Sequence, residues 1–369
     1  MKKIKPIKIG IIGIGRAGYE MHIAELKKYA KYFEIVGCCD IDAKRRKLAH
    51  EATGCTEYAA FEDMLKNPDI ELVSIVSRSP DHLKHTRQAL SAGKIVFLEK
   101  PIAMNYAEAK KLKALYDKYP GKLFLRHNRR LEPTFQHVRE IMASGILGKI
   151  HLVKLHRHFF QRRKDWQTIL DCGGGLLNNW GPHLVDHAIR MVDAPIKDIW
   201  SDLQLVSSLG DAEDHIKLLL KGANGRVVDL ELSYGSAILM PEYVIYGDRG
   251  ALTADSSEIK LKYVKPGYKF KVGKAERGTP PFGAVSYNPE PIPWIEETLK
   301  VNPSSGLGMG DIYKCLYDAI REGVPFPITI EEGMEIVRVS EHIRKKTAFE
   351  YPPADQIYKF PPEKKSAKK

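Results

Sequence analysis

Three short stretches of this chain hold residue types that can do chemistry. EKPIAMN (99–105) closes the apolar run Ile95-Val96-Phe97-Leu98, so one strand end delivers the carboxylate of Glu99, the ammonium of Lys100 and the backbone constraint of Pro101 to one place. GIGRAG (13–18) follows IKIGII at once and precedes a helical pattern from Tyr19 to Tyr29. GGGLLNNWGPHLVDH (173–187) carries Asn179, His183, Asp186 and His187, with Pro182 where a helix can start. An ammonium stabilises a developing alkoxide, and an imidazole exchanges a proton near neutral pH. Oxidation of a secondary alcohol needs both when a hydride acceptor is held beside them.

GIGRAG supplies the place for that acceptor. In a strand-turn-helix setting Gly13 permits the tight turn, Gly15 lets backbone approach a pyrophosphate, and Gly18 lets the helix pack on the strand. The phosphates then sit at the helix N-terminus, beside Arg16 and Ala17. Asp40 ends the next strand pattern, Phe33 to Cys39, at the spacing of the acid that accepts the ribose hydroxyls. An acid there repels a 2'-phosphate, which favours NAD. Arg45 and Arg46 keep NADP as the alternative, and a helix N-cap before AKRRKLA is the other reading of Asp40. His183 and His187, four apart, and His156 and His158, two apart, could each pinch a metal ion. No H-E-x-x-H accompanies them, so no metal is expected.

These residues need elements to hold them. Strand and helix patterns alternate: helix 61–66, strand 72–77, helix 81–92, strand 95–98, helix 106–119 and strand 122–126. Such alternation predicts a doubly wound parallel sheet, an α/β Rossmann domain over residues 1–126. Ligands bind beyond the carboxyl ends of such strands, where Ser77, Pro80 and Lys100 fall.

At these residues the sequence resembles the Gfo/Idh/MocA family, the glucose-fructose oxidoreductase and inositol dehydrogenase-like enzymes. The likeness runs from residue 7 to about 347 and rests on GIGRAG with Asp40, on SPDHLKHTRQALSAGKIVFLEKPIA (79–103), on SGILGKI (144–150) and on DWQTILDCGGGLLNNWGPHLVDHAIRMV (165–192). The resemblance implies an α+β domain over 127–350 with a large, mostly antiparallel open sheet, whose face often pairs subunits into a homodimer or homotetramer. It implies Lys100 between the nicotinamide ribose and the reacting oxygen, a cis Lys100–Pro101 bond, and His183 as the acid/base. Ser77, His82 and Glu99 are expected near the cofactor and His85 on the helix surface. Trp166, Asp186 and His187 are expected beside the substrate. Many relatives carry Asp where this chain has Asn179, which can orient a hydroxyl but cannot accept a proton; its other reading is a helix N-cap.

Composition is that of an ordinary globular chain, 369 residues with 43% hydrophobic and 28% charged, long enough for two cored domains. Apolar runs fall short of the ~18 residues a spanning helix needs, and no signal-like h-region follows MKKIKPIK. Five cysteines without a C-x-x-C pair fit a reducing cytoplasm. Much of the net charge of +12 lies at the ends, in Lys2, Lys3, Lys5, Lys8 and in EKKSAKK (363–369), the basic and flexible end expected of a C-terminal extension over 351–369. No nucleic-acid-binding signature accompanies it, so neither nucleic acid nor membrane is an expected partner. An internal basic group, Arg126, Arg129, Arg130, Arg157, Arg162, Arg163 and Lys164, could serve an anionic ligand. The reading is an NAD-dependent oxidoreductase acting on a secondary alcohol of a carbohydrate. Its rivals are an NAD-dependent glycosidase using transient oxidation, which net NADH formation would separate, and a nucleotide-binding sensor, which would need no acid/base pair.

Overall fold

IKIGII becomes the central strand of a parallel sheet, β1 (Ile7–Ile12), with Ile7, Ile9 and Ile11 fully buried because both faces of the sheet are covered. The computed structural model describes residues 4–274, 277–278, 290–353 and 355–358. Five strands join β1: β2 (Phe33–Cys39), β3 (Thr56–Tyr58), β4 (Leu72–Ile75), β5 (Ile95–Glu99) and β6 (Leu123–Arg126). Their order is β3-β2-β1-β4-β5-β6 and every pairing is parallel. In this doubly wound order the topology reverses between β1 and β4, opening a crevice at their carboxyl ends.

A second sheet holds β7 (Ile150–His158), β8 (Ile196–Gln204), β9 (His215–Gly222), β10 (Val227–Ser233), β11 (Tyr243–Gly247), β12 (Gly250–Ala254), β13 (Glu258–Val264) and β14 (Trp294–Lys300). It runs β14-β13-β12-β11-β7-β10-β9-β8, antiparallel except where β10 meets β7. The chain is therefore a Rossmann domain joined to an α+β domain with a large, mostly antiparallel open sheet, as the resemblance implied. Alternation decides the faces: Leu218, Leu220, Leu230 and Leu232 are buried inward, in one core with the helix Gly181–Val192. On the other face Lys217 forms ion pairs with Asp229 and Glu231 at 2.7 and 3.0 Å, and Trp200 is 55% exposed.

The C-terminal helices complicate a boundary at 126/127. Helix Ile312–Glu322 returns to the first core through Ile312, Tyr313 and Leu316. Helix Ile330–Arg344 serves both cores, with Ile330 and Val337 in the first and Ile336, Val339 and Ile343 in the second. The C-terminal extension is tied down where it begins: Tyr351 Oη donates to Gly174 O at 2.7 Å and Tyr358 N to Asp171 O at 2.8 Å. Lys2, Lys3 and the basic end at 363–369 lie outside the described residues.

Candidate active site

The glycine loop is shaped by what its glycines lack. Gly13 has φ +92°, and a Cβ there would lie 2.4 Å from Val76 O; a Cβ on Gly18 would lie 2.1 Å from Gly13 O. Gly15 would meet nothing within 4 Å. It faces a cleft of about 1510 Å³ that Gly13, Gly15, Arg16, Ala17, Asp40 and Ser77 line together. A Cβ at Gly15 would fill the space a pyrophosphate needs, so the cradle fits a dinucleotide. Asp40 Oδ2 accepts from Ile14 N at 2.6 Å and Oδ1 from Asp42 N at 2.9 Å, which fixes the carboxylate against the loop. The helix cap is Asp42, whose side chain accepts from Lys44 N, so the N-cap reading of Asp40 does not hold. Arg45 lines the same end of the cleft, while Arg46 donates to Asp40 O at 2.8 Å.

Two residues expected at the cofactor instead sit behind it. Glu99 has both oxygens committed: Oε1 accepts from His22 Nε2 at 2.9 Å and from Arg126 at 2.5 Å, and Oε2 accepts from Lys100 N at 2.9 Å. Burial alone would raise this carboxyl, but Arg126, His22 and Lys100 outweigh it and hold it well below the usual range. Glu99 thus braces the strand end that carries Lys100. His82 is buried, with its ring nitrogens 2.8 Å from Pro101 O and 2.9 Å from Ser77 O, and ties together the ends of β4 and β5. His85 corrects the expectation in the other direction. Rather than lying on the helix surface it is half-buried in the cleft wall, against Phe61 and 2.9 Å from Ser77 Oγ.

Lys100 meets the second domain directly. The Lys100–Pro101 peptide is cis, as the resemblance implied. Lys100 Nζ donates to Asn179 O at 2.7 Å, and burial, reinforced by Arg126, Arg129 and Arg16 against Glu99, brings its pKa down to about 8. Asn179 ends the short helix Leu176–Asn179, so it is not the cap of Gly181–Val192; its Nδ2 donates to Tyr234 Oη at 3.0 Å. Asn179 therefore offers Lys100 its backbone, not its side chain. His183, on the first turn of Gly181–Val192, is 7% exposed and its Nδ1 has no hydrogen-bond partner. A structural imidazole would be satisfied. Burial first, then Lys100 and Arg129, keep it neutral, well below its ordinary pKa. Pro101, Asn178 and Pro182, the chain neighbours of Lys100, Asn179 and His183, line the cleft with Trp166, over which the Arg78 guanidinium stacks at 5.0 Å.

Other expected site residues face elsewhere. Asp186 is clasped by Arg130 through Nε and Nη2 at 2.8 and 2.7 Å. His187 stacks on Phe135 at 3.7 Å, with its nitrogens 3.1 Å from Tyr243 Oη and 2.9 Å from Arg129 O. Both are fully enclosed in the second domain: they lie one turn further along the helix from His183, and neither lines the cleft. The internal basic group is largely spent on acids: Arg126 on Glu99 and Glu25, Arg130 on Asp186 and Glu332, Arg157 on Glu132 and Glu242, Arg129 on Glu132 and Arg163 on Asp165. It forms an ion-pair frame, with Arg163 alone of the group lining the cleft. His158 pairs with Glu231 at 3.1 Å, and among the described residues no three His, Cys, Asp or Glu side chains gather as a metal site. All five cysteines are free. Sequence reasoning missed His127, Gln167 and Tyr351 in the cleft wall. His127 had a signal, since it directly follows a parallel strand's carboxyl end.

The strand order, the glycine cradle and the lysine at the strand end define a dinucleotide-binding oxidoreductase of Rossmann type. A family model described as "Oxidoreductase family, NAD-binding Rossmann fold" matches residues 7–127, and the GFO/IDH/MocA C-terminal domain matches 135–253. The chain belongs to the GFO/IDH/MocA family, and its cofactor is NAD or NADP. It is 24% identical over 352 residues to the scyllo-inositol 2-dehydrogenase (NADP(+)) of Bacillus subtilis, covering 92% of this chain and 93% of that one. It is 25% identical to the 1-carboxy-3-chloro-3,4-dihydroxycyclohexa-1,5-diene dehydrogenase of Comamonas testosteroni, over 62% of this chain and 58% of that one. An oxidoreductase of Thermotoga maritima shares the fold with a TM-score of 0.77 at 19% identity, covering 92% of this chain and 96% of the other. No helix among the described residues is long and apolar enough to cross a membrane.

Proposed function

We propose that the enzyme transfers a hydride between a nicotinamide cofactor and a secondary alcohol of a sugar, polyol or sugar derivative. The observation that carries this reading is the pairing of Lys100, reaching across the domain junction to Asn179 O, with a buried imidazole at His183 left without a partner on Nδ1. When bound, the nicotinamide supplies the hydride acceptor. Lys100 holds the substrate oxygen and offsets its developing negative charge. His183, neutral at physiological pH, takes the hydroxyl proton, and the ion-pair frame behind both groups keeps them in place. Similarity to an inositol dehydrogenase supports the carbohydrate class.

NAD is the proposed cofactor because the Asp40 carboxylate stands at the ribose end of the cradle. The proposed compartment is the cytoplasm, in keeping with five free cysteines. A homodimer or homotetramer is proposed because Trp200 and Tyr246 remain exposed on the open sheet; light scattering at micromolar concentration is expected to give a multiple of 41.7 kDa. The reading itself is tested by following absorbance at 340 nm with NAD+ or NADP+ against a panel of sugars, sugar acids, cyclitols and glycosides. Net reduction with at least one free alcohol is expected. Release of a glycan fragment without net reduction would transfer the site to transient-oxidation chemistry.

A further inference from the structure

His127 stands one residue beyond β6, at the carboxyl end of the parallel sheet, and lines the cleft alongside Pro101 and Pro182. Its side chain is 2% exposed, yet neither ring nitrogen has a hydrogen-bond partner. Among the described residues no other histidine has both ring nitrogens themselves buried and unpaired; His183 shares this only at Nδ1. His22, His82 and His187 show the contrast, since each has both nitrogens engaged. Buried polar groups in folded proteins are nearly always paired, so a wholly unpaired imidazole in a cleft wall marks a place where a ligand completes the set.

The kind of ligand follows from the ring's state. Burial, reinforced by Arg130 and Lys100 against Asp186, brings the His127 pKa down to about 4, so the ring is neutral at physiological pH. A neutral imidazole offers one donor and one acceptor, which matches a hydroxyl better than a carboxylate or phosphate. His127 shares the cleft wall with Pro101 and Pro182, the chain neighbours of Lys100 and His183, and the charge of Lys100 acts on both imidazoles.

We propose that His127 is a substrate-binding residue that hydrogen-bonds a second hydroxyl, next to the one served by Lys100 and His183, so that the pocket takes a vicinal diol. This rests on the alcohol-oxidation reading above. The test compares scyllo-inositol, trans-cyclohexane-1,2-diol and cyclohexanol as substrates with NAD+ and NADP+. Wild type is expected to favour the two diols over cyclohexanol by about 10–100-fold in kcat/KM, the range for leaving a buried polar group unpaired. His127→Phe, which fills the space without a polar atom, should raise KM for the diols by a similar factor, change kcat far less, and erase the preference. His127→Gln, with a donor and an acceptor, should restore part of it. Thermal midpoints should not fall in the Phe variant, and His127→Leu reads the same loss if Phe does not fold. An unchanged diol preference in the apolar variants, or equal losses on diol and mono-ol, overturns the proposal while alcohol oxidation stands. Oxidation of no alcohol by the wild type overturns the underlying reading, and this one with it.

Discussion

Gly13 and Lys100 both stand where a strand of the parallel sheet ends, yet the two ends of the cleft are built differently. Around Gly13 the site is backbone: its shape comes from missing Cβ atoms, and the parts that meet are neighbours in sequence or adjacent strand ends. Around Lys100 the site is side chain, and its partner, Asn179 O, lies 79 residues away in another domain. Behind it Arg126 pairs with Glu99 and Glu25, and the buried His22 ring adds a hydrogen bond to Glu99, which together brace the strand end. A backbone cradle serves any dinucleotide, whereas a side-chain corner held between two domains can be matched to one substrate. The contrast teaches that binding and turnover should separate under mutation.

Breaking the cradle should have the largest effect. Gly18→Val places atoms where Gly13 O stands, so the turn must open, and titration of NADH fluorescence should show no saturable binding. Next in size is the loss at Lys100. Lys100→Ala should bind cofactor as the wild type does but lose on the order of 10²–10³ in kcat, the usual cost of one charge-stabilising donor. If cofactor affinity and kcat fell together, the two ends would not be separable.

The pH profile sharpens the same comparison. Oxidation needs Lys100 charged and His183 neutral; the first holds below about pH 8, and the second throughout the physiological range because His183 is pushed down. On these grounds kcat/KM should be flat near neutrality and fall as pH rises through about 8. Lys100→Arg should remove that fall, since arginine stays protonated. The smallest effect is expected at Asp40. Asp40→Ala should cut NAD affinity by about tenfold, the worth of one or two hydrogen bonds, and relax discrimination against NADP. Tighter binding of NADP by the wild type would pass the role to Arg45, which shares that end of the cleft.

How much of this was legible in the sequence follows the same division. The alternating strands and helices of the parallel sheet and the glycine loop could be read because they depend on local pattern: apolar runs, turn glycines and helix starts. The open sheet came only through family resemblance, as its strands pair across up to a hundred residues, Tyr243 beside Leu155 for example. At the reacting end, residue types were visible but their directions were not. Asp186 and His187 share a helix with His183, and only tertiary packing turned them inward to Arg130 and Phe135. Glu99 sits beside Lys100 in sequence, yet strand alternation points it to the opposite face, into the His22 and Arg126 network. The arginine group looked like an anion site because its acids, Glu25, Glu132, Glu242 and Glu332, are scattered along the chain.

The role of His183 carries the account. With a substrate from the alcohol panel, single-turnover absorbance at 340 nm should be recorded for the wild type and His183→Ala at saturating cofactor. The variant is expected to bind cofactor with unchanged Kd and to lose about 10²–10⁴-fold in the rate of hydride transfer. A His183→Ala rate within a few-fold of the wild type, with cofactor binding intact, would contradict the assignment of the proton to this imidazole.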